Sequence, residues 1–254
     1  MKESITSSPD SPSVLTSGWF VASMALASML LVFVPYGNYA LLPFRFFTTF
    51  VHELGHAAAS VLLGGSVMHI VINPDASGYM QYQGVENVLL RGAISSAGYL
   101  GAAFFGGLLL VLSVFRTAAR TVLIVIASGA MLVLIFYIRD VFSFAVCFGL
   151  AAVIGWIGAK GSAPLNIFTV NFLAAQSGLN ALSDVITLLR LSLGAQRSTY
   201  SLGHSDADAV AQLFFLPPVF WSVLWIALSL VILFVAIRIR LRLAHRKQHN
   251  RLAV

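Results

Sequence analysis

Charge is what this sequence has least of. Only 9% of its 254 residues are Asp, Glu, Lys or Arg, against roughly 25% in a soluble globular domain. So little charge cannot hydrate a soluble surface, which excludes a soluble fold and leaves an integral membrane protein. Cysteine is scarcer still. Cys147 stands alone in an apolar segment, which rules out a disulfide framework and a cysteine-based metal site. Acids are outnumbered 9 to 15, for a net charge of +6. The excess lies mainly in Arg238, Arg240, Arg242, Arg246, Lys247 and Arg251, after the last apolar run. That placement suits contact with anionic lipid and a cytoplasmic end, not nucleic acid. The first seventeen residues, rich in Ser, Thr and Pro, lack a basic n-region and an evident cleavage site. They are expected to form a disordered tail, and the apolar run that follows to stay as an anchor.

What is abundant is apolar length: 59% hydrophobic residues and a mean hydropathy of +0.90. At about 20 residues per span, the chain has room for six to eight helices and no soluble domain. The runs predict helices at about Gly18–Pro35, Tyr39–Leu63, Arg91–Val114, Ala119–Tyr137, Val141–Ala159, Pro164–Leu193 and Leu213–Arg240. Small residues four apart in the third run, Ala97 with Gly101 and Gly98 with Ala102 and Gly106, allow close helix approach. Between the second and third runs, Ser66–Asn73 is rich in β-branched residues, Pro74–Gly78 has turn chemistry and Tyr79–Gln83 alternates. This predicts a β-hairpin. Its edge offers strand pairing to an extended substrate, or it is a short extramembrane loop joining two helices.

The expected fold is thus all-α and polytopic, with about six to seven transmembrane helices and a small β-hairpin after the second. It comprises a tail at 1–17, one membrane-embedded domain at 18–240 and a basic tail at 241–254.

One stretch of the second run carries chemistry: His52-Glu53-Leu54-Gly55-His56. Residues four apart share a helix face, so both histidines can reach one metal ion, with Glu53 beside them to take a proton from water. Ionisable groups at bilayer depth cost about 2.5–3.5 kcal/mol each on insertion scales, so chance retention is a poor explanation. A proton or ion path in a transporter is the rival reading.

Catalytic zinc usually takes three protein ligands and leaves one position open. Asp184 is the leading third ligand, the lone acid of the largely apolar stretch Asn171–Leu193, where zinc would offset its burial. Asn180, one turn earlier, is placed to orient that carboxylate or to bind a substrate backbone. Among rivals, Asp140 sits beside Arg139 as an ion pair at a helix boundary, and Asp206 and Asp208 read as solvated or as caps. His69 in the hairpin and His204 in a loop read as structural, and Arg190 as an interfacial side chain.

Three stretches carry a resemblance: Phe50–Ala57 with Gly64-Gly65 after it, Ser96–Gly101, and Asn180–Asp184 followed by Ser205-Asp206-Ala207. Together they resemble the site-2 protease family of intramembrane zinc metallopeptidases, in its compact, bacterial-type, peptidase B-like subgroup. The resemblance implies a multi-pass protein of a bacterial-type cell membrane that binds zinc through His52, His56 and Asp184. Glu53 would be the catalytic base, and the substrate a membrane-embedded protein. It departs from better-known members at Val185, where they have Gly after the ligand Asp, and at Tyr99, where they often have Pro. No segment is long enough for their added peptide-binding domain. A non-catalytic scaffold or a metal-ion carrier is the alternative function. Orientation stays open: seven spans with a cytoplasmic basic end put the hairpin outside, whereas the resemblance puts it on the cytoplasmic side.

Overall fold

The computed structural model describes residues 18–31, 34–192 and 205–252, so the tail at 1–17 and His204 lie outside the described residues. The elements are α1 (Gly18–Leu31), α2 (Gly37–Leu62), β1 (Ser66–Ile72), β2 (Gly78–Gln83), α3 (Val88–Leu112), α4 (Ala119–Tyr137), α5 (Val141–Lys160), α6 (Ala163–Ser192), α7 (Asp206–Phe214) and α8 (Pro218–Leu252). Four helices, α3, α4, α5 and α8, are long and apolar enough to cross a membrane. With 26 and 30 residues, α2 and α6 have the length too. Their lower apolarity comes from polar residues turned inward: Thr48, Glu53 and His56 on α2, and Asn166, Asn171, Gln176 and Ser177 on α6, all buried.

The predicted helices and hairpin are present, with one addition. A short α7 precedes the last predicted run, overlapping it only at Leu213 and Phe214, and α8 carries the rest of that run on to Leu252. Phe215, at φ 58, breaks the chain after α7. Pro218 then begins α8, because a residue without an N–H starts a helix more readily than it continues one.

Small residues make α3 the hub. A β-carbon on Gly55 of α2 would overlap the Ala97 carbonyl of α3. Gly106 meets α6 at Ser177 and Gly178, and Gly107 lies 3.0 Å, measured from an added β-carbon, from the Ala236 side chain of α8. Gly92 faces Phe214 of α7 in the same way. The stripe of small residues thus lets three backbones approach one helix, a contact that dispersion rewards without any hydrophobic drive between helices.

Gly64 ends α2. At φ 86 it takes the left-handed conformation, while its N–H donates to Val61 O at 3.2 Å and that of Gly65 to Ser60 O at 2.8 Å. This Schellman pattern satisfies the last carbonyls and turns the chain back. The antiparallel hairpin pairs Ser66 with Gln83 and Ile72 with Gly78, with a bulge between Val67 and His69. It is not a loop that merely joins two helices. Ile70 and Ile72 are buried in a cluster with Phe50 and Ala57 of α2, Leu134 of α4 and Cys147 of α5. Ser143 at the start of α5 holds Ile72 twice, accepting from its N–H at 2.8 Å and donating to its carbonyl at 3.2 Å. At the tip, the Thr49 hydroxyl donates to Ala76 O at 2.6 Å. The hairpin therefore runs back along α2 towards its N-terminal half.

Candidate metal centre

Helix α2 sets His52 and His56 one turn apart, and their Nε2 atoms lie 3.0 Å from each other. A carboxylate meets them there. Asp206 Oδ2 is 3.2 Å from His52 Nε2 and 3.3 Å from His56 Nε2. A tetrahedral zinc with bonds of about 2.0–2.1 Å would set its ligands roughly 3.3–3.4 Å apart, so this triangle is of the size the ion needs. The donor set suits it too, with two imidazole nitrogens and one carboxylate oxygen. His56 Nδ1 donates to the Ile94 carbonyl at 2.7 Å. A carbonyl can only accept, so in the neutral ring Nε2 carries the lone pair and faces the other two ligands.

Glycine leaves the space. A β-carbon on Gly98 of α3 would overlap both Nε2 atoms, so α3 presents bare backbone to the ligands. Glu53, 4% exposed, sits on the same turn of α2 as His52. Gly78, the first residue of β2, passes close by, and a β-carbon there would come within 3.0 Å of Glu53 Oε1. The hairpin thus borders the site at the glutamate.

From sequence, Asp206 and Asp208 both read as solvated or as caps; the structure separates the two. Ser205 and Asp208 form a reciprocal capping box at the start of α7. Asp208 Oδ2 accepts from Ser205 N–H at 3.1 Å, and Asp208 N–H donates to Ser205 Oγ at 3.3 Å. That leaves Asp206, in the first turn of α7, free to face the histidines. The signal was present in the spacing, because Ser-x-x-Asp needs only the second acid. Asp184 lies on α6 with its side chain outside the described residues, as does that of Arg190. Asn180 is part-buried on α6. Among the described residues, His52, His56 and Asp206 are the group of His, Cys, Asp and Glu able to share one ion. Asp140 is the N-cap of α5, accepting from Ser143 N–H at 2.8 Å, while Arg139 donates to carbonyls at the end of α4 instead of pairing with it. His69 packs edge-on against Tyr79 of the hairpin, ring centroids 5.8 Å apart.

In comparison with known proteins, residues 21–236 match the family model described as Peptidase M50B-like. No curated protein and no solved structure matches the chain.

Proposed function

Because this chain belongs to the peptidase M50B-like group of the site-2 protease family, we propose that it is an active intramembrane zinc metalloprotease cutting membrane-embedded proteins. It is an integral membrane protein of a peptidase family; activity, metal, substrate and a bacterial-type cell membrane are the proposal. The observation that carries it is the convergence of His52, His56 and Asp206, with all three ligand atoms within 4.8 Å of one another.

His52, His56 and Asp206 would hold the ion, and Asp184 is the alternative carboxylate. When bound, zinc supplies Lewis acidity, lowering the pKa of water towards about 7 and polarising a carbonyl. Glu53 accepts the proton of the attacking water and passes it to the leaving amine. Burial keeps that carboxylate away from bulk water, and a side chain at Gly78 would crowd its Oε1. A peptide bond within a helix is poorly exposed to attack, so the substrate must be held extended. The outer edge of β2, a strand whose first residue Gly78 lies beside Glu53, is suited to that by strand pairing.

Glu53→Gln tests the reading. The variant is expected to keep its zinc, measured by mass spectrometry of the purified protein, and to lose about 10²–10⁴-fold in cleavage. In native membranes it should retain proteins that wild type releases as fragments. Cleavage by the variant at the wild-type rate would remove Glu53 from the chemistry, and absence of cleavage by wild type would favour a scaffold or carrier.

A further inference from the structure

The two histidines are held by different devices. His56 is oriented through its far nitrogen, by the 2.7 Å bond from Nδ1 to Ile94 O. Among the described residues, the polar contacts of His52 run through Nε2, the ligand atom itself, to Asp206 and His56. Something else must set its ring. Tyr99 of α3 lies against it, centroids 4.6 Å apart at an interplanar angle of 82°. Tyr99 in turn stacks on Trp225 of α8 at 5.1 Å and 21°.

Trp225 is 1% exposed, and it packs in one cluster with Ala207 and Val210, both fully buried on α7. Asp206 is the first residue of that helix. Contacts thus run from the His52 ring through Tyr99 and Trp225 to the helix carrying the carboxylate. They join ligands 154 residues apart in the chain.

We propose that Tyr99 and Trp225 are positioning residues of the metal centre, fixing the His52 ring and its distance from Asp206. The proposal rests on the zinc reading above. An edge-to-face contact has a preferred geometry, so it can fix a ring as a hydrogen bond at the far nitrogen does. Residues that orient metal ligands typically govern affinity by about 10–100-fold. The part of Tyr99 to which the proposal assigns this role is the aromatic ring that lies against His52.

The test measures zinc affinity of the full-length protein in detergent by chelator competition. It also records the absorption spectrum of the cobalt(II)-substituted form and the melting temperature without metal. Tyr99→Leu should weaken zinc binding by about 10–100-fold and change the cobalt bands. Tyr99→Phe should restore both. Leu123→Ala, a buried change on α4, should lower the melting temperature and leave affinity and spectrum alone. Zinc binding by Tyr99→Leu at wild-type affinity with unchanged bands would overturn the proposal. So would an equal loss in Leu123→Ala or in Tyr99→Phe. If Tyr99→Leu does not fold, Tyr99→Met and Trp225→Phe replace it, and wild-type affinity in both is the overturning result. Wild type that binds no zinc defeats the metal reading itself, whereas zinc-binding wild type with an indifferent Tyr99→Leu defeats only the aromatic brace.

Discussion

A methyl group at Gly98 would stand where the two histidine nitrogens converge. Gly98→Ala is therefore expected to abolish zinc binding while α3 still folds, since alanine is the better helix former by about 1 kcal/mol. Retained helicity by circular dichroism with zinc absent would bear this out; full zinc content would not. The carboxylate is open to a paired comparison. Asp206→Asn should lose zinc and Asp184→Asn keep it, measured as metal per protein; the reverse result would move the ligand to α6. The histidines and Glu53 were legible because their spacing carries the chemistry within one helix turn. Asp206 was not, because an acid beside a serine in a polar stretch looks like a cap until Asp208 is seen to do the capping.

Elements follow local rules closely here, and the hairpin shows how far they reach. Its turn residues and alternation were readable from Ser66 to Gln83, but its packing against α2, α4 and α5 was not. Its tip also holds strain. Ala76 sits at φ 66, a left-handed conformation costing a non-glycine residue about 1–2 kcal/mol. Ala76→Gly should therefore raise thermal stability by up to about 1 kcal/mol, and a lower melting temperature would contradict this. The Ser77 hydroxyl and N–H, both donating to Asp75 at 2.7 and 2.9 Å, hold the Asp75 carboxyl below its usual range. A depressed carboxyl stabilises the fold above its unfolded pKa and loses that contribution as pH falls through the folded value. Protection of the Ser77 amide from hydrogen exchange, corrected for intrinsic rate, should accordingly drop on acidification below the ordinary carboxylate range. Protection independent of pH would discount the bond.

Across the whole molecule, the helices converge on α3 at both ends. Near the candidate metal centre, α3 meets α2, α7 and α8; about 20 Å further along, at 1.5 Å per residue, Arg240 of α8 reaches back to it. Arg240 is 4% exposed. Its guanidinium donates to Leu110 O at 3.1 Å, to the Ser113 hydroxyl, and to Asn171 Oδ1 of α6 at 3.4 Å. From sequence, Arg240 belongs to a basic run suited to anionic lipid, and Arg238, Arg242 and Arg246 of that run are exposed. Arg240 instead ties three helices together. Arg240→Met would strand buried acceptors at a cost of about 1–3 kcal/mol. It is expected to lower the melting temperature more than Arg242→Met does. Equal effects would return Arg240 to the lipid surface.

Short-range features could be read directly from residue order: membrane class from scarce charge, helices from apolar runs, the hairpin from its turn, and the histidine pair from a four-residue interval. Each is settled by solvent, propensity or periodicity acting over a few neighbouring residues. The carboxylate from α7, the glycine of α3 that clears its place and the aromatic stack behind His52 belong to helices distant in the chain. Their meeting depends on which helix backbones can approach most closely, and that is a property of packing in three dimensions.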